Sequence, residues 1–158
     1  MEKISFRIAT KQDLEKRWDY LIAENAGDKR WQIWQEQTIK DNNKGTKKSF
    51  IALLDNEIVG EVTLVMSNFE LNGLRVNKEY EGRGIASGLV KFVEAWATKH
   101  GLEYLMIGVE PREVRNMQIF FHWGYTEFLN YSIDKYPPKD ENDSGEEVFA
   151  LYYRKKLS

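Results

Sequence analysis

The chain contains no cysteine. Disulfides, thiol nucleophiles and thiolate metal sites are therefore excluded. It contains two histidines, His100 and His122, too few for a histidine-rich metal centre. No long basic block appears, and the formal net charge is −2, so nucleic acid is not expected as a partner. No apolar run approaches the length of a membrane span, and the opening "MEKISFRIAT" lacks the apolar core of a signal peptide. These absences lead to the expectation of a soluble, cytoplasmic protein with no membrane partner.

What is present describes a globular chain. The 158 residues suit one domain, taken as residues 1–158, and are 42% apolar and 30% charged. Aromatic residues reach 13%, enough for a well-filled core and an aromatic-lined cleft.

"SFRIAT" reads as a short strand. Thr10 followed by Asp13 is a helix-start signature, and Leu14, Trp18, Leu21 and Ile22 continue at helical spacing. A second helix is expected over "WQIWQEQTIK", ending at "DNNKG". "SFIALL" and "EIVGEVTLVM" flank Asp55-Asn56, a two-residue link suited to a hairpin. "FELNGLRV" is a further strand. Ile85, Leu89, Val93 and Trp96 mark a helix that Gly101 stops. "YLMIGV" follows as a buried strand, and "EVRNMQIFFHW" as a helix stopped by Gly124. "TEFLNYSI" and "EEVFALYYRKKL" close the chain as strands. Hairpins require antiparallel pairing, whereas strand-helix-strand crossovers require parallel pairing. The order predicts an α/β (α+β) fold, with a mixed sheet carrying helices on both faces.

One stretch, "RVNKEYEGRGIASGLV", carries the chemical interest. It places Gly82-Arg83-Gly84 between a strand end and a helix start. Helix starts hold unpaired N–H groups and a partial positive charge, and glycine lets a ligand approach such a backbone closely. The stretch is either a plain turn or a cradle for a diphosphate. A dinucleotide-binding loop would need a third glycine where Ser87 stands, tight against the strand end. A P-loop would need Gly-Lys-Ser/Thr, which is absent.

The stretch resembles the GNAT superfamily of acetyl-CoA-dependent N-acetyltransferases. The likeness rests on Leu74-Arg75-Val76 followed by Glu81-Gly82-Arg83-Gly84-Ile85-Ala86, on "MIGVEPREVRNMQIFFHWGY" ending in Gly124-Tyr125, on the Arg7-to-Asp13 opening, and on the element order. The resemblance implies a mostly antiparallel mixed sheet with a splayed central strand pair. It implies that backbone amides of Gly82, Arg83, Gly84, Ile85, Ala86 and Ser87 hold the CoA pyrophosphate. Leu74, Arg75 and Val76 would pair with the pantetheine arm, and a backbone N–H near Val76 would polarise the thioester. Phe120 would face that thioester.

The resemblance further implies acetyl transfer to a primary amine of a small molecule or peptide, by direct attack. An alkylammonium, with a pKa of about 10.4, must first lose a proton. Glu70, before the splayed strand, is the leading candidate base, with a solvated strand-edge acid as its plain alternative; Glu110 is a weaker one. The chain departs from the family pattern at Glu81, where Arg or Gln is usual, at Lys78, where proline is usual, and at Glu113, where Asn is usual. It departs again at Phe120, where a tyrosine usually reprotonates the leaving thiolate. A thiol pKa of about 8.5 makes that thiolate a fair leaving group without such help. The rival expectation is a CoA-binding sensor with little turnover. His100 and His122 read as helix-end residues, Phe121, Trp123 and Tyr125 as core, and "KDENDSGEE" as a solvated loop. The aromatic last hairpin makes a homodimer possible.

Overall fold

Thr10 starts the first helix as its spacing with Asp13 predicts. Its hydroxyl accepts from the Asp13 amide at 3.1 Å, and the Asp13 carboxylate accepts from the Thr10 amide at 2.8 Å. Arg7 closes on the same carboxylate from the preceding strand, with one of its contacts at 3.1 Å.

A computed structural model describes residues 3–157. The elements are β1 Ile4–Ile8, α1 Lys11–Glu24, α2 Arg30–Lys44, β2 Lys47–Leu54, β3 Glu57–Val65, β4 Glu70–Val76, a 3-10 turn Lys78–Tyr80, α3 Ile85–Lys99, β5 Tyr104–Val109, α4 Val114–His122, β6 Glu127–Lys135 and β7 Glu147–Lys156. The strands form one sheet in the order β1-β2-β3-β4-β5-β7-β6. Among the described residues, only the β4–β5 pair is parallel.

Asp55 and Asn56 turn β2 into β3 with φ of 50° and 73°, the left-handed pair that a two-residue hairpin link requires. The second helix ends within "DNNKG" as its composition predicts, continuing past Lys40 to Lys44 with Gly45 as its left-handed cap. Asn42 stays helical because its side chain has partners. It donates to the Thr38 carbonyl at 2.9 Å and accepts from the Ser49 amide at 2.9 Å, tying α2 to β2.

Two apolar layers sandwich the sheet. On one face, α3 and α4 cover Phe50, Ala52, Val62, Leu64 and Leu71 with Ile85, Leu89, Val93, Met117 and Phe120. Burying each large aliphatic side chain stabilises by roughly 1.5–3 kcal/mol. On the other face, α1 and α2 pack through Leu14, Trp18, Leu21, Trp31 and Trp34. Helices therefore lie on both faces, as the element order implies.

Strand β4 serves both layers through a bulge. Thr63 pairs with Asn72 and Glu61 with Arg75, so three steps along β4 oppose two along β3. The extra residue lies at Gly73–Leu74, with Gly73 at φ 65°. Leu71, Leu74 and Val76 consequently all face the α3 layer. Arg75 points the other way, over the rings of Trp18 and Trp31.

Candidate active site

The parallel pair opens almost as soon as it forms. Strands β4 and β5 match only at Glu70–Met106 and Leu71–Ile107. Beyond that point β4 is paired only with β3, and Gly108 and Val109 of β5 only with β7. The backbone edges of β4 from Asn72 to Val76 thus face a gap. Edges of this kind hold unsatisfied amides and carbonyls that an amide-bearing chain can pair with.

A cleft of about 360 Å³ follows this edge, lined by Leu74, Arg75 and Val76, by Lys78 and Glu81, and by one side of α1. Its lining ends at Glu81, the residue before the glycine loop. Gly82 and Gly84 take φ of 79° and 77°, a conformation that L side chains rarely adopt. A β-carbon at either position would meet nothing within 4 Å, so the backbone angle alone demands glycine there. Gly88 differs: a β-carbon there would lie 2.4 Å from the Phe6 ring, so it is a packing glycine beneath β1.

Gly84 caps α3 without any side-chain hydrogen bond, and the first helical bond runs from the Gly88 amide to the Gly84 carbonyl at 2.9 Å. Among the described residues, the amides of Gly82, Gly84, Ile85, Ala86 and Ser87 donate to no protein group. Five outward amides at the start of a 15-residue helix suit an anion in both direction and dipole. Arg83 adds a cation beside them and lies over the Tyr80 ring, 5.2 Å from its centroid.

A buried ionic cluster fixes the β4 end that leads into this loop. Arg17 donates through Nε to Glu61 at 2.5 Å and through Nη1 to the Asn77 side chain. Arg75 reaches the other Glu61 oxygen at 3.3 Å. Burial pushes the Glu61 carboxyl up, against the pull of both guanidiniums. Neither Arg17 nor Glu61 was among the residues singled out from sequence.

Residues 10–125, well over half of the chain, match the Acetyltransferase (GNAT) family. The chain belongs to the GNAT family. No match was found among curated proteins. Solved structures with the same fold include an N-acetyltransferase from Staphylococcus aureus Mu50 (TM-score 0.71, 13% identity, 99% of each chain). Another is a probable acetyltransferase from Staphylococcus epidermidis (TM-score 0.70, 19% identity, 99% of this chain and 100% of that one). A third is a ribosomal-protein-alanine N-acetyltransferase from Brucella melitensis (TM-score 0.68, 17% identity, 96% of this chain and 99% of that one). At those identities they speak for the fold. GNAT enzymes generally use acetyl-CoA.

The GNAT frame gives the remaining residues their places. Glu70 begins β4 on the face opposite α3 and is half-buried, its carboxylate accepting from the Asn68 side chain at 3.2 Å. It reaches over Gly108, where a β-carbon would lie 3.5 Å from its oxygen and 2.8 Å from the Tyr152 ring. Burial raises its carboxyl above the ordinary range, Asn68 opposes, Asp134 reinforces and Lys47 opposes.

Glu110 is raised too, by burial and then by Glu113, but it is held by Arg112 at 2.8 Å. Phe120 lies on α4, half-buried, edge-on to Trp123 and Tyr125 at 5.4 and 5.9 Å. His100 caps α3, its ring stacked on Trp96 at 4.2 Å, and His122 ends α4.

On the Glu70 side of the sheet, Trp34 and Tyr136 wall a second cleft of about 270 Å³ floored by Asn72, Gly73 and Arg75. A larger hollow of about 540 Å³, between the α1–α2 turn and residues 139–142, touches neither β4 nor β5.

Proposed function

We propose that the chain transfers an acetyl group from acetyl-CoA to a primary amine of a small molecule or peptide. The observation that carries this reading is the run of unpartnered amides at Gly82 and Gly84–Ser87, following the β4 edge that β5 leaves unpaired. Amides of the loop bind the diphosphate, and the Leu74–Val76 edge pairs with the pantetheine amides. The bound thioester supplies an activated acetyl group. Lys78 and Arg83 offset the carboxylate of Glu81 near the diphosphate.

The acceptor approaches from the opposite cleft, lined by Trp34 and Tyr136. Glu70 takes the proton from the ammonium, directly or through a water. Its burial suits the role, because a carboxyl raised toward neutrality is a stronger base. The freed amine attacks the acetyl carbonyl, whose oxygen is met by an amide near the β4 bulge. The carbon–sulfur bond breaks, the nitrogen gives up its second proton to solvent, and the thiolate leaves unaided or takes a proton from solvent, since Phe120 has none to give.

A second reading, a CoA-binding regulator with little turnover, is favoured by one observation. The α4 position that would carry a phenol is Phe120, packed among Trp123 and Tyr125. An amine panel with acetyl-CoA, read by released thiol, separates the two. Release with a subset of amines is the expected result. Tight CoA binding without release across the panel would establish the regulator instead.

A further inference from the structure

The ionic cluster beneath β4 contains more positive than negative charge. Arg17 and Arg75 share one carboxylate, Glu61, which can cancel at most one of them. Arg17 is sealed off, with 1% of its side chain exposed, whereas 33% of Arg75 is exposed. The surplus therefore reaches solvent through Arg75.

Arg75 is held in one orientation. Its Nη1 donates to both Glu61 and the Gly73 carbonyl, each at 3.3 Å. The guanidinium lies over the rings of Trp18 and Trp31, 5.5 and 5.1 Å from their centroids. Its Nη2 and Nε donate to no group among the described residues. A planar cation, fixed in orientation with one edge unspent, suits a carboxylate.

The 270 Å³ cleft that Arg75 floors contains no aspartate or glutamate among its described lining residues. Its other charge, Lys47, is paired with Asp41 at 3.2 Å. Trp18, Trp34 and Tyr136 give the same space aromatic walls. With Glu70 engaged by the reacting ammonium, a second ammonium of a polyamine would meet a net cation there. The volume suits a small molecule rather than a folded chain.

We propose that the acceptor is a small amine that also carries a carboxylate, of the amino-acid class, and that Arg75 binds that carboxylate. This rests on the transfer reading above and narrows it. Arg75 thereby has two roles: its backbone lies along the coenzyme edge, and its side chain selects the acceptor on the other face.

The test uses matched amines that differ only by the carboxylate: phenylalanine against phenethylamine, and tryptophan against tryptamine, each with acetyl-CoA and thiol release as readout. The acid of each pair should be favoured about 10- to 100-fold in kcat/KM, the range of a charge-assisted hydrogen bond. Arg75→Gln should bring that ratio toward one. Equal or better turnover of the decarboxylated members overturns the inference and leaves acetyl transfer standing. Lost CoA affinity in Arg75→Gln with an unchanged ratio would assign the side chain to the coenzyme and also overturn it.

A measurement on the unaltered protein needs neither turnover nor a folded variant. Calorimetry in the presence of CoA should show N-acetylphenylalanine binding more tightly than N-acetylphenethylamine. The reverse order, or no difference, overturns the inference even if no amine is acetylated. Absence of thiol release from every amine would fail the transfer reading separately.

Discussion

Replacing Gly84 by aspartate probes the diphosphate cradle directly. Gly84 sits at φ 77°, and no protein atom lies within 4 Å of where its β-carbon would be. The cost to the fold is therefore confined to backbone strain, about 1–2 kcal/mol for a residue forced left-handed. For a chain of this length that lowers Tm by about 2–4 °C per kcal/mol. The cost to binding is larger. A carboxylate about 5 Å from one phosphate charge, at an effective dielectric of about 20, is repelled by about 3 kcal/mol. That corresponds to a loss of CoA affinity of about 100-fold. Gly84→Ala, strained but uncharged, should lose about tenfold or less while melting at a similar temperature. Calorimetric titration with CoA, alongside thermal melts, measures both effects. A Gly84→Asp protein that melts a few degrees lower yet binds CoA as tightly as the parent would refute the placement of the diphosphate.

Three further expectations follow from the same geometry. Glu70→Gln should lower kcat and flatten the acidic limb of the pH–rate profile, because activity rises with pH as a raised carboxyl deprotonates. It should also gain stability relative to the parent as pH climbs past the ordinary carboxylate range, since only the parent must then ionise a buried group; parallel melts across pH check this. Phe120→Tyr should raise turnover without altering CoA affinity, and an unchanged kcat would show that no phenol is needed there. Glu61→Ala leaves two guanidiniums beneath β4 with no counter-charge, so chemical denaturation should show a loss of about 3–5 kcal/mol. A loss under about 1 kcal/mol would mean that water already compensates the cluster.

The parts of this molecule legible in sequence are those determined by neighbours along the chain. The Thr10–Asp13 cap, the Asp55-Asn56 turn, the apolar stripe of α3 and the glycine stops at Gly101 and Gly124 each depend on a few adjacent residues. So does the glycine loop. The β4 bulge was not legible, because it exists only in register with β3. The charge cluster escaped for a related reason, as Arg17 and Glu61 are 44 residues apart and belong to no motif. A signal was nevertheless present. Arg17 falls among Leu14, Trp18 and Leu21 on the buried stripe of α1, and Glu61 interrupts the apolar strand "EIVGEVTLVM". Two opposite charges, each displacing an apolar residue from an inward position, mark a pair that folding brings together. That the second helix continues past Lys40 into "DNNK" depends on Asn42 finding a partner in β2, which spacing along α2 does not reveal.

The single added residue at Gly73–Leu74 also constrains how this strand can change. Drawing the strand straight with that residue kept would rotate everything downstream by half a turn, sending the guanidinium of Arg75 into the greasy layer under α3 and lifting Leu74 and Val76 out of it. Deleting the residue and the bulge together would instead leave every later side chain on its present face. Ancestors and descendants of this chain are thus expected to gain or lose the added residue and the bulge together, never one without the other, and a length survey of relatives is the place to look for it.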